Sequence, residues 1–177
     1  VTFQPPPHVD LGALAQGTPC LTPAVGANLA EAAAHCLENQ GHQTGAQLAV
    51  DSAKVEVKWH PLDPRSAASR ADLQSTTEEG AVAIALALIR NGTAYEVVRR
   101  SRKGTGFDWY LGPSRAAPPF MSTACLEVSG ILRETADLLE RRAAQKVAQA
   151  QAGGTGLPGF AVVVGFAGPR AIVRSLP

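Results

Sequence analysis

Hydrophobic positions fall into blocks of two periodicities that alternate along the chain. Ala30, Ala33, Ala34 and Leu37 recur at helical spacing and predict a helix over residues 28–39, closed by Gly41. Two short alternating runs, residues 46–50 and 55–59, are joined through Asp51-Ser52-Ala53 and predict a hairpin. Ahead of them Pro5-Pro6-Pro7, Pro19 and Pro23 read as an extended arm over residues 1–25. Pro61 and Pro64 then break the pattern, dividing the chain into an N-terminal extension, residues 1–65, and a more regular part, residues 66–177.

In that second part, Ser75-Thr76-Thr77-Glu78 has the S-x-x-E form of a capping box, and residues 81–89 behind it are apolar without interruption up to Asn91-Gly92. A helix apolar on most faces has to be buried. Residues 95–100, 106–111 and 124–129 predict three strands. Residues 131–151 predict an amphipathic helix, apolar at Ile131, Ala136, Leu138, Leu139, Ala143 and Val147 and ended by Gly153-Gly154-Thr155-Gly156. An apolar strand over residues 160–166 follows, paired with residues 172–176 across Gly168-Pro169. The order helix, three strands, helix, strand predicts an α/β domain whose mixed sheet lies between helices.

Composition narrows the class. Of 177 residues 45% are hydrophobic and 18% charged, as in a globular domain. The longest apolar run, residues 81–89, is far short of the roughly 20 residues of a membrane helix, so no membrane partner is expected. The first residues, Val1 to His8, carry neither a basic nor an apolar stretch, so no signal peptide is expected. Cys20, Cys36 and Cys125 form no C-x-x-C pair, which points to a reducing compartment and a cytoplasmic location. The net charge of +1 conceals a division: up to Asp63 two basic residues face six acidic ones, and from Pro64 onward fourteen basic residues face nine acidic ones. That asymmetry permits a nucleic-acid surface on the C-terminal part.

Candidate chemistry concentrates in two windows. In the first, Asp108 opens an apolar strand behind a glycine turn and four cations, Arg99, Arg100, Arg102 and Lys103. In the second, Glu127 lies within the apolar run Ala124-Cys125-Leu126-Glu127-Val128. Carboxylates are rarely buried unless paired or bound to metal. If the two strands are neighbours, Asp108 and Glu127 face one space and can hold Mg²⁺ or Mn²⁺ through oxygen ligands. The plainer alternatives are that Asp108 caps the turn after Gly106 and that Glu127 pairs with Arg99 or Arg133. Other motifs fall away. Lys103-Gly104-Thr105-Gly106 is no Walker loop, the glycines at 153–156 follow a helix, Ser129-Gly130 is no G-x-S-x-G elbow, and His35, Cys36 and His42 lack zinc spacing.

Residues 72–166, with Asp at the start of the second strand and Glu in the third, resemble the core of the PD-(D/E)XK nuclease superfamily, the restriction-endonuclease-like fold. The resemblance implies an αβββαβ core preceded by the helix and hairpin of the extension. It implies that Asp108, Glu127 and the main-chain carbonyl of Val128 hold the metal. The family's lysine belongs two residues after the second acid, where this chain has Ser129. Lys103, five residues before Asp108, is the candidate replacement. A glutamate on the first helix is expected at Glu79 or Glu78, with Glu79 preferred because Glu78 belongs to the capping box; a glutamine on the second helix is expected at Gln145 or Gln149. The implied function is a Mg²⁺-dependent (or Mn²⁺-dependent) phosphodiesterase on DNA, with RNA admitted, in which Arg99, Arg100 and Arg102 neutralise flanking phosphates. The alternative is a catalytically inactive subunit of that fold that binds nucleic acid or protein, as a homodimer or within a larger nucleic-acid complex.

Overall fold

Thr22 starts the first helix earlier than its alanine spacing indicates. Its hydroxyl accepts the Val25 N–H at 3.4 Å and Pro23 takes the first helical position, where a missing N–H costs nothing, so α1 runs Pro23–Asn39. In this computed structural model the described residues are 2–114, 118–153 and 156–177, so Gly154 and Thr155 of the glycine stretch lie outside them. The expected hairpin forms as β2 (Ala46–Val50) and β3 (Ala53–Lys58), turning at Asp51 with φ of 50°. The proline arm is not a free extension. Its residues His8–Asp10 form β1, parallel to β3, and a 3₁₀ turn over Leu11–Gln16 follows, burying Leu11 and Leu14.

A short helix, α2 (Ser66–Ser69), leads to α3 (Leu73–Gly92), whose cap is Asp72: its carboxylate accepts the N–H groups of Gln74 at 3.1 Å and Ser75 at 3.3 Å. The capping box expected at Ser75–Glu78 is therefore helix interior, and Glu78 is released from capping. The strands follow as β4 (Tyr95–Arg100), β5 (Trp109–Pro113) and β6 (Ala124–Ile131). β5 starts later than expected because Gly104 and Gly106, at φ of 95° and 86°, hold a turn that an extended strand excludes. Next, α4 (Ala136–Ala152) begins at its Thr135 cap, because β6 itself continues to Ile131. The chain ends with β7 (Gly159–Gly165) and β8 (Arg170–Leu176).

Among the described residues the eight strands form one mixed sheet in the order β1-β3-β2-β8-β7-β6-β5-β4. β4, β5 and β6 are an antiparallel meander; α4 then carries the chain to β7, which runs parallel to β6, as a parallel pair requires a crossover. β8 is antiparallel to β7 and parallel to β2, and that last contact joins the N-terminal hairpin to the rest. The boundary near residue 65 therefore divides no core: Leu29 and Leu48 share one buried cluster with Ile84, Leu126 and Phe160. α1 and α3 cover one face of the sheet and α4 the other. Along β6 the alternation sends Ala124, Leu126 and Val128 toward α3, and Cys125, Glu127 and Ser129 toward α4. Among the described residues no helix is long and apolar enough to cross a membrane.

Candidate active site

Asp108 is fixed before its side chain does anything. Its N–H donates to the Leu126 carbonyl at 3.0 Å, and its carbonyl accepts the Ser101 N–H at 2.9 Å, so its main chain is knitted between β4 and β6. The Ser101 and Thr105 hydroxyls both donate to the Phe107 carbonyl just before it. Asp108 Oδ2 then accepts the Val128 N–H at 2.9 Å, occupying the place of the next ladder partner beyond the end of β5. Because N–H and C=O of one strand residue point to the same side, the Val128 carbonyl also turns toward Asp108.

Glu127 is 2% exposed, and its neighbour across the strands is Asp108. Burial pushes the Glu127 carboxyl up to about 7; the hydrogen bond from Lys146 opposes this, and the charge of Asp108 adds to it. Lys146, from α4, donates to Glu127 Oε1 at 2.6 Å and to Gln149 Oε1 at 3.2 Å. These groups line a cleft of about 770 Å³ between the first turns of α3, the exposed end of β6 and one face of α4. Two glycine contacts set its walls. A Cβ on Gly130 would lie 2.5 Å from the Thr77 carbonyl, so only glycine lets α3 lean onto β6; a Cβ on Gly106 would lie 2.9 Å from Gly153 Cα, where the turn before Asp108 docks on the end of α4.

The cleft brings together Asp108, Glu127, Val128, Arg100, Gln149 and both helix glutamates. The preference between the glutamates reverses. Glu79 is tied down by Arg70, which also binds Glu31 Oε1 at 3.1 Å and Asn28 Oδ1 at 2.7 Å. Glu78 is exposed and makes no ion pair among the described residues. Lys103 requires correction: docking of the glycine turn on α4 leaves it exposed and outside the cleft lining. Gln145 also lies outside the lining, on the outward side of α4. Of the three arginines, only Arg100 reaches the cleft; it stacks 4.3 Å from the Trp109 ring centroid, with its guanidinium 3.8 Å from Asp108 Oδ1. Arg99 instead lies 4.1 Å over the Tyr110 ring, and Arg102 is exposed outside the lining.

The partner of Glu127 is neither Arg99 nor Arg133 but Lys146, a residue the sequence reading passed over. The signal was present. Leu139, Ala143 and Ala150 are the buried stripe of α4, and Lys146 sits within that stripe at helical spacing. A lone cation on the apolar face of a helix calls for an acid across the interface. Arg142, one turn before Lys146, lines the cleft as well. Comparison with protein-family models, with curated proteins and with solved structures gave no match to this chain.

The raised carboxyl of Glu127 has a measurable consequence in metal-free buffer. The unfolded chain ionises near the ordinary 4.5 and the folded chain near 7, so stability is lost as pH rises through that window and is level above it. Glu127→Gln keeps an acceptor for Lys146 and removes the charge. It should stabilise the protein by about 1–3 kcal/mol at pH 8 and have little effect near pH 4.5, as read from urea unfolding with chelator present. An equal effect at both pH values would show that Glu127 does not titrate in this window.

Proposed function

We propose that this chain is a Mg²⁺- or Mn²⁺-dependent phosphodiesterase of the PD-(D/E)XK, restriction-endonuclease-like type that hydrolyses nucleic acid, with Lys146 serving where the family's lysine is replaced by Ser129. The observation that carries the reading is the convergence of Asp108, Glu127 and Lys146 in one cleft, from the start of β5, from β6 and from α4. The succession α3, β4, β5, β6, α4, β7, with an antiparallel meander and a parallel last pair, supports it.

The donor set fits a hard cation. Asp108 and Glu127 offer carboxylate oxygens and the Val128 carbonyl turns to the same side, with Lys146 beside Glu127 and Arg100 beside Asp108 as the cations a bound ion would have to share them with. Among the described residues no three His, Cys, Asp or Glu side chains converge, so water and phosphate oxygens would complete the shell, as is usual for Mg²⁺. Such an ion supplies charge neutralisation at the phosphate and water of lowered pKa. In the hydrolysis, a water gives up one proton to solvent as its oxygen forms a bond to phosphorus, the bond from phosphorus to the leaving sugar oxygen breaks, and that oxygen takes up a proton from solvent. Lys146 contributes its positive charge where negative charge accumulates on the phosphoryl oxygens, and the Gln149 contact holds its ammonium group in place. Arg100 and Arg142 bind neighbouring phosphates without reading sequence.

One observation favours the catalytically inactive binding subunit instead: the 2.6 Å Lys146–Glu127 pair already gives the buried acid a partner without metal. Thermal unfolding separates the two readings. Under the nuclease reading Mn²⁺ raises the melting temperature of wild type in proportion to the logarithm of its concentration and leaves that of Glu127→Gln unchanged. Equal responses of the two proteins would favour the inactive subunit.

A further inference from the structure

Among the described residues, one cation of the cleft is left without a partner. Lys146 is bound to Glu127 and Gln149, and Arg100 is stacked on Trp109 beside Asp108. Arg142 lines the same cleft, is half-buried, and makes no hydrogen bond, ion pair or ring contact among the described residues. A guanidinium in that position has given up part of its hydration and recovers none of it from an acid. Its donors form a planar fork that fits phosphate oxygens in pairs.

Position decides which phosphate. α4 connects the parallel strands β6 and β7 and therefore runs back antiparallel to both. Lys146 meets Glu127; Arg142, four residues earlier on the same face of the helix, lies about 6 Å farther along its axis, toward the end of β6 at Gly130. In the other direction the way along α4 is shut. Beyond Gln149 the turn before Asp108 packs on the helix end, where a Cβ on Gly106 would lie 2.9 Å from Gly153 Cα. A strand whose phosphate is held at Lys146 therefore continues along α4 past Arg142, and the offset between the two cations matches adjacent phosphates of one strand.

We infer that Arg142 binds the phosphate next to the scissile one, so that the substrate is a strand with at least two consecutive charged phosphates and not a lone phosphodiester. This specifies the nuclease reading and rests on it for which phosphate sits at Asp108, Glu127 and Lys146.

The test measures binding of three thymidine trinucleotides by isothermal titration with Ca²⁺ present. One has two phosphodiester linkages; in the others the 5′ or the 3′ linkage is a neutral methylphosphonate. Wild type should bind one of the two neutralised trinucleotides about tenfold more weakly than the unmodified one, the loss expected of a charge-assisted contact. Arg142→Gln, checked for an unchanged melting temperature, should bind the unmodified trinucleotide about tenfold more weakly than wild type does, and that neutralised one as wild type does. The comparison among trinucleotides uses wild type alone, so it holds even if the variant fails to fold. Equal binding of all three by wild type, an equal loss for all three in Arg142→Gln, or no binding of any of them would overturn the inference. Replacing Ca²⁺ with Mn²⁺ separates the two claims. Cleavage of all three at equal rates per phosphodiester bond would keep the nuclease and remove the second phosphate contact, whereas the expected binding pattern without cleavage would keep the contact and remove the nuclease.

Discussion

Asp108→Asn and Glu127→Gln should each lower Mn²⁺-dependent cleavage by on the order of 10³-fold, with no loss of fold. The expectation of intact folding comes from the contacts each side chain makes. An amide in place of the Asp108 carboxylate would retain an oxygen to accept the Val128 N–H, now at 2.9 Å, and an amide in place of the Glu127 carboxylate would retain one for Lys146. What each exchange removes is charge at the place where a cation must be held, in a site where, among the described residues, no third carboxylate stands close enough to share one ion with these two. The double variant should be no worse than either single one, because groups acting as a unit are not additive. Initial rates on labelled single-stranded DNA and RNA measure it. Full activity in either variant would take that acid out of the metal site and, with it, the proposed mechanism.

The acids were legible because the sequence places each within or beside an apolar strand, where a charge demands an explanation; the regular elements were legible because their periods are local. What escaped was non-local. The pairing of β2 with β8 leaves no trace in the period of either strand, so the N-terminal hairpin read as an extension when it is part of the sheet. The prolines of the arm masked Val9, Leu11, Leu14 and Leu21, which are spaced irregularly and yet all buried. Asp72 was passed over as a cap because the S-x-x-E pattern three residues later matched a stronger template; that displaced the start of α3 and, with it, the choice between Glu78 and Glu79. Lys103 was chosen by nearness along the chain, but the turn that carries it docks through Gly106 on the end of α4 and leaves Lys103 exposed outside the cleft lining. Lys146 is distant from both acids in sequence and is brought to them only by the packing of α4 on β6.

That lysine gives the second large expected effect. Lys146→Ala should reduce cleavage by on the order of 10²-fold or more, because it removes the only cation that touches the buried acid among the described residues. Loss alone does not separate a catalytic lysine from a counter-ion, since an unpaired Glu127 also disturbs the site. Position decides it. Ser129 lies on the α4-facing side of β6, two residues beyond Glu127, and lines the same cleft. Ser129→Lys introduced into Lys146→Ala should therefore return an ammonium group to the site from another direction and recover about tenfold of the lost rate, whereas Ser129→Lys in wild type places two like charges together and should bring no gain. Lys146→Gln is the complementary control. If Lys146 only balances the charge of Glu127, bound Mn²⁺ does the same, and Lys146→Gln at saturating metal should cleave like wild type. If Lys146 acts on the phosphate, no metal concentration restores the rate, and only Ser129→Lys does.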